Sequence, residues 1–365
     1  MIPQDASPDR EKELANFQRT LKKDMQFIQE VVAVLERQGD YSTQDFINFY
    51  QEQVRGLPFC EYLNQRTEAL YADNRFSTAN VCQCAGINFS KFLGGRDIKI
   101  EEITLSLMKA FEKYLVSKKK SKNTIASYLR SLRATYNQAI CENKFLRFKE
   151  IKENPFFGVF TGNAKTKKRA ISAKNISRLA EIKPENIRKF DFDPALQLSI
   201  DVFMFSFFTQ GMPFVDVANL KKKDIRGEYI QYNRQKTGQP ISIELEDCMK
   251  QIIDRYADKN SELVFPMLRG IGEEKTKWIK TNSELAKYNR NLKKLAKEAG
   301  IDAHLTSYVS RHSWASVASQ KGIPIATISR GMGHESEKTT RIYISQLNCA
   351  DVGSANRQII AEVTE

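Results

Sequence analysis

The three histidines of the chain, His304, His312 and His334, all fall near its carboxyl end, in company with Arg311 and Tyr343. Arg311 is followed 23 positions later by His334, and His334 nine positions later by Tyr343. An arginine offers a rigid fork of donors for phosphate oxygens, a histidine donates or carries a proton, and a tyrosine hydroxyl can attack phosphorus. The series therefore reads as a nucleophile with its electrostatic supports, and the implied substrate is a phosphodiester. Taken singly, His312, Trp314 and His334 read as well as satisfied core residues of a helical domain, so the chemical reading rests on their order.

The elements that must position these residues are mainly helical. Residues 9 to 38 carry Leu14, Phe17, Leu21, Met25, Ile28, Val32 and Leu35 at helical intervals, which predicts one amphipathic helix or two short ones. Gly39-Asp40 ends that pattern, and Ser42-Thr43-Gln44-Asp45 offers a new helix start. Two more helices are expected over 101 to 117, on Ile103, Leu107, Phe111 and Leu115, and over 122 to 143, on Ile125, Leu129, Leu132, Tyr136 and Ala139. The second has a basic side with Arg130 and Arg133, and Lys118, Lys119, Lys120 and Lys122 crowd the connection. Phosphate contact and plain solvation are both open to these side chains. Residues 161 to 170 carry Lys165, Lys167, Lys168 and Arg169 without apolar periodicity, as a linker would. Helices then follow at 172 to 182 and 194 to 209. A hairpin is expected from about Glu228 to Leu245, with Ile230, Tyr232, Arg234 and Lys236 on one side if the strand continues. The divisions so drawn are 1–54, a helical extension; 55–160, a helical domain; 161–170, the linker; and 171–365, a mostly helical region with a small sheet.

Composition narrows the partners. Lys and Arg number 57 against 44 Asp and Glu, a net charge of +13, so a polyanion is the natural partner, although charge alone does not separate DNA from RNA or an anionic membrane surface. The six cysteines are scattered with no metal-ligand spacing and read as reduced thiols. The polar N-terminus is no secretory signal, and the most apolar run, Leu196 to Phe208, carries Asp201 and is too short to span a bilayer. A cytoplasmic protein with access to a bacterial chromosome is expected, with no membrane partner, no metal and no nucleotide cofactor.

The ordered series resembles the catalytic domain of the tyrosine recombinases, or phage-type integrases, whose pattern ends in His-x-x-Arg-His, then Leu-Gly-His, then the nucleophilic tyrosine. Arg311-His312 stands at the Arg-His step, Gly333-His334 at the Gly-His step and Tyr343 at the nucleophile; the helices of 101–143 resemble the family's core-binding domain. The resemblance implies a mainly α fold: a helical core-binding domain over 55–160 and a mostly helical catalytic domain over 171–365 with a small antiparallel β-sheet. It implies a site-specific recombinase that cleaves and rejoins double-stranded DNA through a 3′-phosphotyrosyl link on Tyr343, releasing a 5′ hydroxyl without ATP or metal. Arg311 and His334 would stabilise the charge that grows on the nonbridging oxygens, and Lys236 would protonate the leaving oxygen. The resemblance further implies a two-domain clamp whose basic linker follows the DNA backbone, a homotetramer on paired sites, accessory DNA-bending partners, and docking of the segment beyond Tyr343 on a neighbouring subunit, with docking in cis as the alternative.

Two departures stand out. The family's histidine three residues before the second arginine is here Tyr308, which leaves the proton-acceptor role to water, His312 or the substrate; His312 itself is expected to pack beside the site or support it. The family's first arginine is here Pro213, in Gly211-Met212-Pro213-Phe214-Val215-Asp216. Losing a preorganised oxyanion donor costs roughly 3 to 4 kcal/mol in the barrier. Arg234, two residues before Lys236, is the proposed substitute, and Asp216 keeps the family's acidic position. These departures also motivate a second class of function, a recombinase-fold DNA-binding regulator that has lost catalysis. A third, a type IB topoisomerase, shares the chemistry without needing paired sites. The helical character of residues 1–50 tilts the biological role toward an invertase or simple recombinase over a mobile-element integrase with a sheet-bearing arm-binding domain.

Overall fold

A computed structural model describes residues 8–55, 58–142, 154–164, 169–182, 193–344 and 360. The chain divides into two compact units, Met1–Lys165 and Thr166–Glu365, and the division falls inside the segment expected as a linker.

The first unit is helical: α1 (Pro8–Gln38), α2 (Thr43–Arg55), α3 (Phe59–Ala72), α4 (Phe76–Phe92), α5 (Leu105–Ser117) and α6 (Lys122–Glu142). The polar residues expected to start α2 do so. The Ser42 hydroxyl accepts from the Asp45 amide at 3.2 Å while the Asp45 carboxylate accepts from the Ser42 amide at 2.8 Å, a reciprocal cap that satisfies two otherwise orphaned donors. Thr104 caps α5 through the Leu107 amide at 3.2 Å. The core is built on fully buried Phe59, Phe89, Phe111, Leu115, Leu129 and Leu132, with the Phe89 and Phe111 rings edge to face at 5.0 Å. Val31, Val34 and Leu35 of α1 and Phe46 and Phe49 of α2 join that core, so the C-terminal part of α1 and α2 fold with the helices after them. The N-terminal part of α1 differs: Phe17, Leu21, Met25 and Ile28, part of the apolar side of the expected amphipathic helix, are exposed.

The second unit is α7 (Ala173–Ala180), α8 (Pro194–Phe208), α9 (Phe214–Asn219), a sheet of β1 (Ile225–Arg226), β2 (Tyr229–Asn233) and β3 (Pro240–Glu244), then α10 (Asp247–Arg255), α11 (Glu274–Glu298), α12 (Ser307–Gln320), α13 (Ile325–Gly331) and α14 (Glu337–Tyr343). Helix α8 is apolar all round because it is the buried centre of this unit, packed by α7, α9, α10, α11 and α12. Its one charge, Asp201, accepts two hydrogen bonds from Arg255 at 2.6 and 2.7 Å and one from the Tyr256 hydroxyl at 2.6 Å, which removes the cost of burying a lone carboxylate. The sheet is antiparallel in the order β1-β2-β3, one short strand more than the expected hairpin. Tyr229 pairs with Glu244 and Asn233 with Pro240, which turns Ile230, Ile241 and Ile243 into the core. The strand does not continue through residue 236 as the alternation assumed. It ends at Asn233, and the Gly238 amide closes the turn on the Arg234 carbonyl at 2.8 Å. Arg234 therefore keeps the buried side, while Lys236 sits exposed at the tip. No helix among the described residues is long and apolar enough to cross a membrane, and no cluster of metal-ligating side chains occurs among them.

Candidate active site

Arg311 lies on α12, the helix packed most directly on α8, and is buried to 3% exposure. A buried guanidinium needs acceptors, and two main-chain carbonyls supply them: Gly211 accepts from Nη1 at 2.7 Å and Met332 from Nη2 at 2.6 Å. Gly211 is required there. Its φ is +80°, and a Cβ would come within 2.8 Å of the Arg311 Cα and 2.7 Å of its Cγ. The same Nη2 lies 2.9 Å from His334 Nε2, and His334 Nδ1 lies 2.8 Å from the hydroxyl of Thr340 on α14. Tyr343 is the last residue of α14, three positions beyond Thr340 and so about 4.5 Å further along the helix axis. Burial, reinforced by Arg311 and Arg234, lowers His334 to about 4, so the imidazole is neutral at physiological pH.

The hairpin brings Arg234 into the same cluster from almost one hundred residues away. Its Nη1 donates to the Gly333 carbonyl at 2.7 Å, and its Nε stands 3.9 Å from a carboxylate oxygen of Asp216, without a hydrogen-bond acceptor of its own. Successive carbonyls of one loop, Met332 and Gly333, thus hold one arginine each. Asp216, on α9, also accepts from the Gln235 amide at 3.0 Å and so pins the hairpin turn to the helix that Pro213 precedes. Burial raises the Asp216 carboxyl above its ordinary range against the pull of the Gln235 amide, Arg234 and Arg311. Burial likewise raises the Tyr232 hydroxyl, with Asp216 adding to the shift.

The structure thus brings together Arg311, His334, Arg234 and, through Thr340, helix α14. The backbone of Tyr343 is described and its side chain is not. Tyr308 is 46% exposed near the start of α12, His312 is half-buried on that helix, Trp314 packs with Ile328 and Met332, and His304 is exposed outside any helix. Lys118, Lys119, Lys120 and Lys122 form an exposed basic turn between α5 and α6, with the Lys118 ammonium 5.4 Å from the Tyr114 ring centre. Arg130 is turned onto the segment that leaves the first unit. Its Nη1 reaches the carbonyls of Thr161 and Gly162 at 3.1 and 3.3 Å and the Asn163 side chain at 3.1 Å, while Arg133 reaches the Thr161 hydroxyl at 3.4 Å. Arg169 is exposed; Lys165, Lys167, Lys168 and the expected docking segment beyond residue 344, apart from exposed Ile360, lie outside the described residues.

Sequence reasoning missed the carbonyls of Gly211, Met332 and Gly333, because a backbone acceptor leaves no trace in residue type. It also missed Thr340, whose only signal is its place between His334 and Tyr343.

Residues 185–348 match the phage integrase family, and residues 58–156 match the phage integrase SAM-like domain. A stretch of 54 residues is 41% identical to the tyrosine recombinase XerA of Saccharolobus solfataricus, spanning 15% of this chain and 18% of that relative's length. The fold is similar to that of the Tn1549 transposon integrase in complex with transposon right-end DNA, with a TM-score of 0.58 at 15% identity over 83% of this chain and all of that one. It is similar also to a lambda integrase dimer bound to a COC′ core site, with a TM-score of 0.55 at 17% identity over 78% of this chain and 76% of that one. The lambda integrase tetramer on a Holliday junction matches with a TM-score of 0.53 at 16% identity, over 80% and 78% of the two chains. At these identities the structural likeness speaks for the fold alone.

Proposed function

Because this chain belongs to the phage integrase family, the tyrosine recombinases, we propose that it is a site-specific recombinase that cleaves and rejoins double-stranded DNA, with Tyr343 as the nucleophile. The observation that carries this reading is the chain of contacts from the Arg311 guanidinium to His334 and on to α14, the helix that ends at Tyr343. In the reaction the phenol passes its proton to water, His312 or the substrate, its oxygen bonds to phosphorus, the bond to the 5′ oxygen breaks as that oxygen is protonated, and the phosphate remains on the protein as a 3′-phosphotyrosyl ester. The nonbridging oxygens gain charge on the way, and fixed donors stabilise that charge more than the ground state.

Arg311 supplies one donor, already oriented by two carbonyls. Arg234 supplies the one that Pro213 cannot: its guanidinium is buried beside the Gly333-His334 loop, and its hydrogen bond to Gly333 leaves further N–H groups for an incoming phosphate. Lys236, exposed at the tip of the same hairpin, is the acid for the leaving 5′ oxygen. Tyr308 and His312 play supporting parts on α12. The basic turn at Lys118–Lys122, together with Arg130, Arg133, Lys165, Lys167, Lys168 and Arg169, binds the DNA backbone. Likeness to integrases solved on DNA as a dimer and as a tetramer supports a duplex DNA partner and a tetramer on paired sites. Such work on a chromosome places the protein in the cytoplasm.

The test is covalent trapping. DNA fragments selected from genomic DNA by the Tyr343→Phe protein are rebuilt as nicked suicide substrates and offered to the wild type. A protein-DNA adduct that survives denaturation is expected from the wild type and none from Tyr343→Phe. Tight binding with no adduct on any selected site would overturn the enzymatic reading in favour of a DNA-binding regulator. Relaxation of supercoils without dependence on a site would favour a topoisomerase.

A further inference from the structure

His334 stands between two groups that together fix where its proton lies. An arginine guanidinium has donors only, so the contact of 2.9 Å between Arg311 Nη2 and His334 Nε2 makes Nε2 the acceptor. The proton of the neutral ring is then on Nδ1, from which it donates to the Thr340 hydroxyl at 2.8 Å. Such a ring has nothing to offer a phosphate oxygen, because the nitrogen on the arginine side carries a lone pair. Gaining a second proton is disfavoured, since burial and two neighbouring arginines hold the imidazole neutral down to about pH 4. The ring can give a hydrogen bond to phosphate without taking up charge only as the other tautomer, with the proton on Nε2. Nδ1 is then a bare acceptor in a site where Thr340 is fully buried. The Thr340 hydroxyl can meet both needs, because it accepts from N–H and, after rotating, donates to N.

We propose that Thr340 is a positioning residue whose hydroxyl lets His334 change tautomer, accepting from Nδ1–H in the free protein and donating to Nδ1 when Nε2–H turns to a DNA phosphate. The proton balance is neutral: one proton passes from Nδ1 to solvent and one from solvent to Nε2, while Arg311 keeps all its protons and turns an N–H from the ring to the phosphate. Because Thr340 lies on α14, one turn before Tyr343, the same hydrogen bond ties the state of the imidazole to the helix that carries the nucleophile. The second half of this inference rests on the recombinase reading for its phosphate; the first half rests on geometry alone.

Three histidines make the test direct. Long-range nitrogen-proton correlation spectra of the imidazole rings are recorded on the full chain at neutral pH, with His334 assigned by its loss in His334→Gln. The wild type is expected as the Nδ1–H tautomer, and in the DNA complex of Tyr343→Phe the signal is expected to change to Nε2–H. Thr340→Ser is expected to keep both states, whereas Thr340→Val, which keeps shape and loses the hydroxyl, should move the free-state tautomer ratio by at least tenfold. Single-turnover adduct formation should fall about 10- to 100-fold in Thr340→Val and stay near wild type in Thr340→Ser. A wild-type free spectrum with Nε2–H, or an unchanged Nδ1–H in the DNA complex, overturns the proposal without any Thr340 variant having to fold. Equal loss of cleavage in the serine and valine variants overturns it too, because packing would then be the cause. Should the wild type form no adduct on any DNA, the recombinase reading falls while the free-state spectrum still decides the Thr340 tie.

Discussion

Pro213 is the extended residue just before α9, with φ of −61°, the value its ring sets, at the position where the family's pattern puts a phosphate-binding arginine. Arg234 approaches Asp216 of α9 to 3.9 Å, and a buried cation next to another buried cation is costly unless an anion compensates it. Asp216 meets part of that cost, although its carboxyl is itself pushed up by burial, and under the proposed function an incoming phosphate would meet the rest. Arg234→Ala is therefore expected to lower adduct formation by about 100- to 1,000-fold, with Arg234→Lys between the two, measured per folded molecule on the suicide substrate. Wild-type cleavage by Arg234→Ala would remove the assignment. His334 gives a prediction of the opposite kind, in stability. Its folded pKa, about 4, lies below the ordinary value of 6.5, so between those pH values the unfolded chain binds more protons and stability falls as pH falls. Urea unfolding at pH 7 and pH 5 should show a smaller loss for His334→Gln than for the wild type; equal losses would mean that the imidazole is not buried as described.

Among the elements, the short connection from α13 to α14 does most to assemble the site, since it presents Met332 O to Arg311, Gly333 O to Arg234 and the imidazole of His334. Its conformation needs glycine. Gly333 has φ of +62°, and a Cβ there would press on the Ile241 side chain and come within 3.0 Å of Arg234 Cδ. Gly270 is a natural control, with φ of +74° and open space around it. Both Gly333→Ala and Gly270→Ala should lower the melting temperature through backbone strain. Only Gly333→Ala should also lose cleavage per folded molecule, because it displaces the hairpin and its arginine. Full activity in Gly333→Ala would show that the hairpin need not hold this position. In the first unit, Arg130 and Arg133 on α6 clasp residues 161–163. The basic side of α6 predicts DNA contact for these side chains, and their bonds to the departing segment, all made through Nη1, leave other N–H groups of each guanidinium for phosphate.

At the scale of the whole molecule, a net charge of +13 is spread over two compact units, each with its own core. The exposed turn at Lys118–Lys122 is the densest basic feature of the first unit's described surface, where it costs nothing to keep solvated and can neutralise phosphates on contact. Replacing Lys118, Lys119, Lys120 and Lys122 by glutamine should weaken binding to all duplexes alike and flatten the dependence of log affinity on log salt by about 0.9 for each phosphate no longer neutralised. Anisotropy titrations at several salt concentrations measure it, and an unchanged slope would mean that these lysines are merely solvated.

The amino-acid sequence by itself determined the kinds of groups at the site and their order along the chain, because Arg311, His334 and Tyr343 lie within one short run of helices where spacing and geometry are closely linked. It also determined helices in both units through periodic apolar positions and, at the start of α2, the Ser42–Asp45 cap. It could nominate Arg234 but not place it, since a side chain in a hairpin meets a loop almost one hundred residues later only once the core of the unit has packed. Tertiary structure alone decided that strand β2 stops at Asn233, which sends Arg234 inward and Lys236 outward, and that the N-terminal part of α1 keeps its apolar side exposed. The carbonyls that orient both arginines, and the hydroxyl of Thr340 behind His334, were beyond any motif. Hydrogen bonding to the main chain depends on where the backbone passes, and that is a property of the packed chain rather than of any residue's identity.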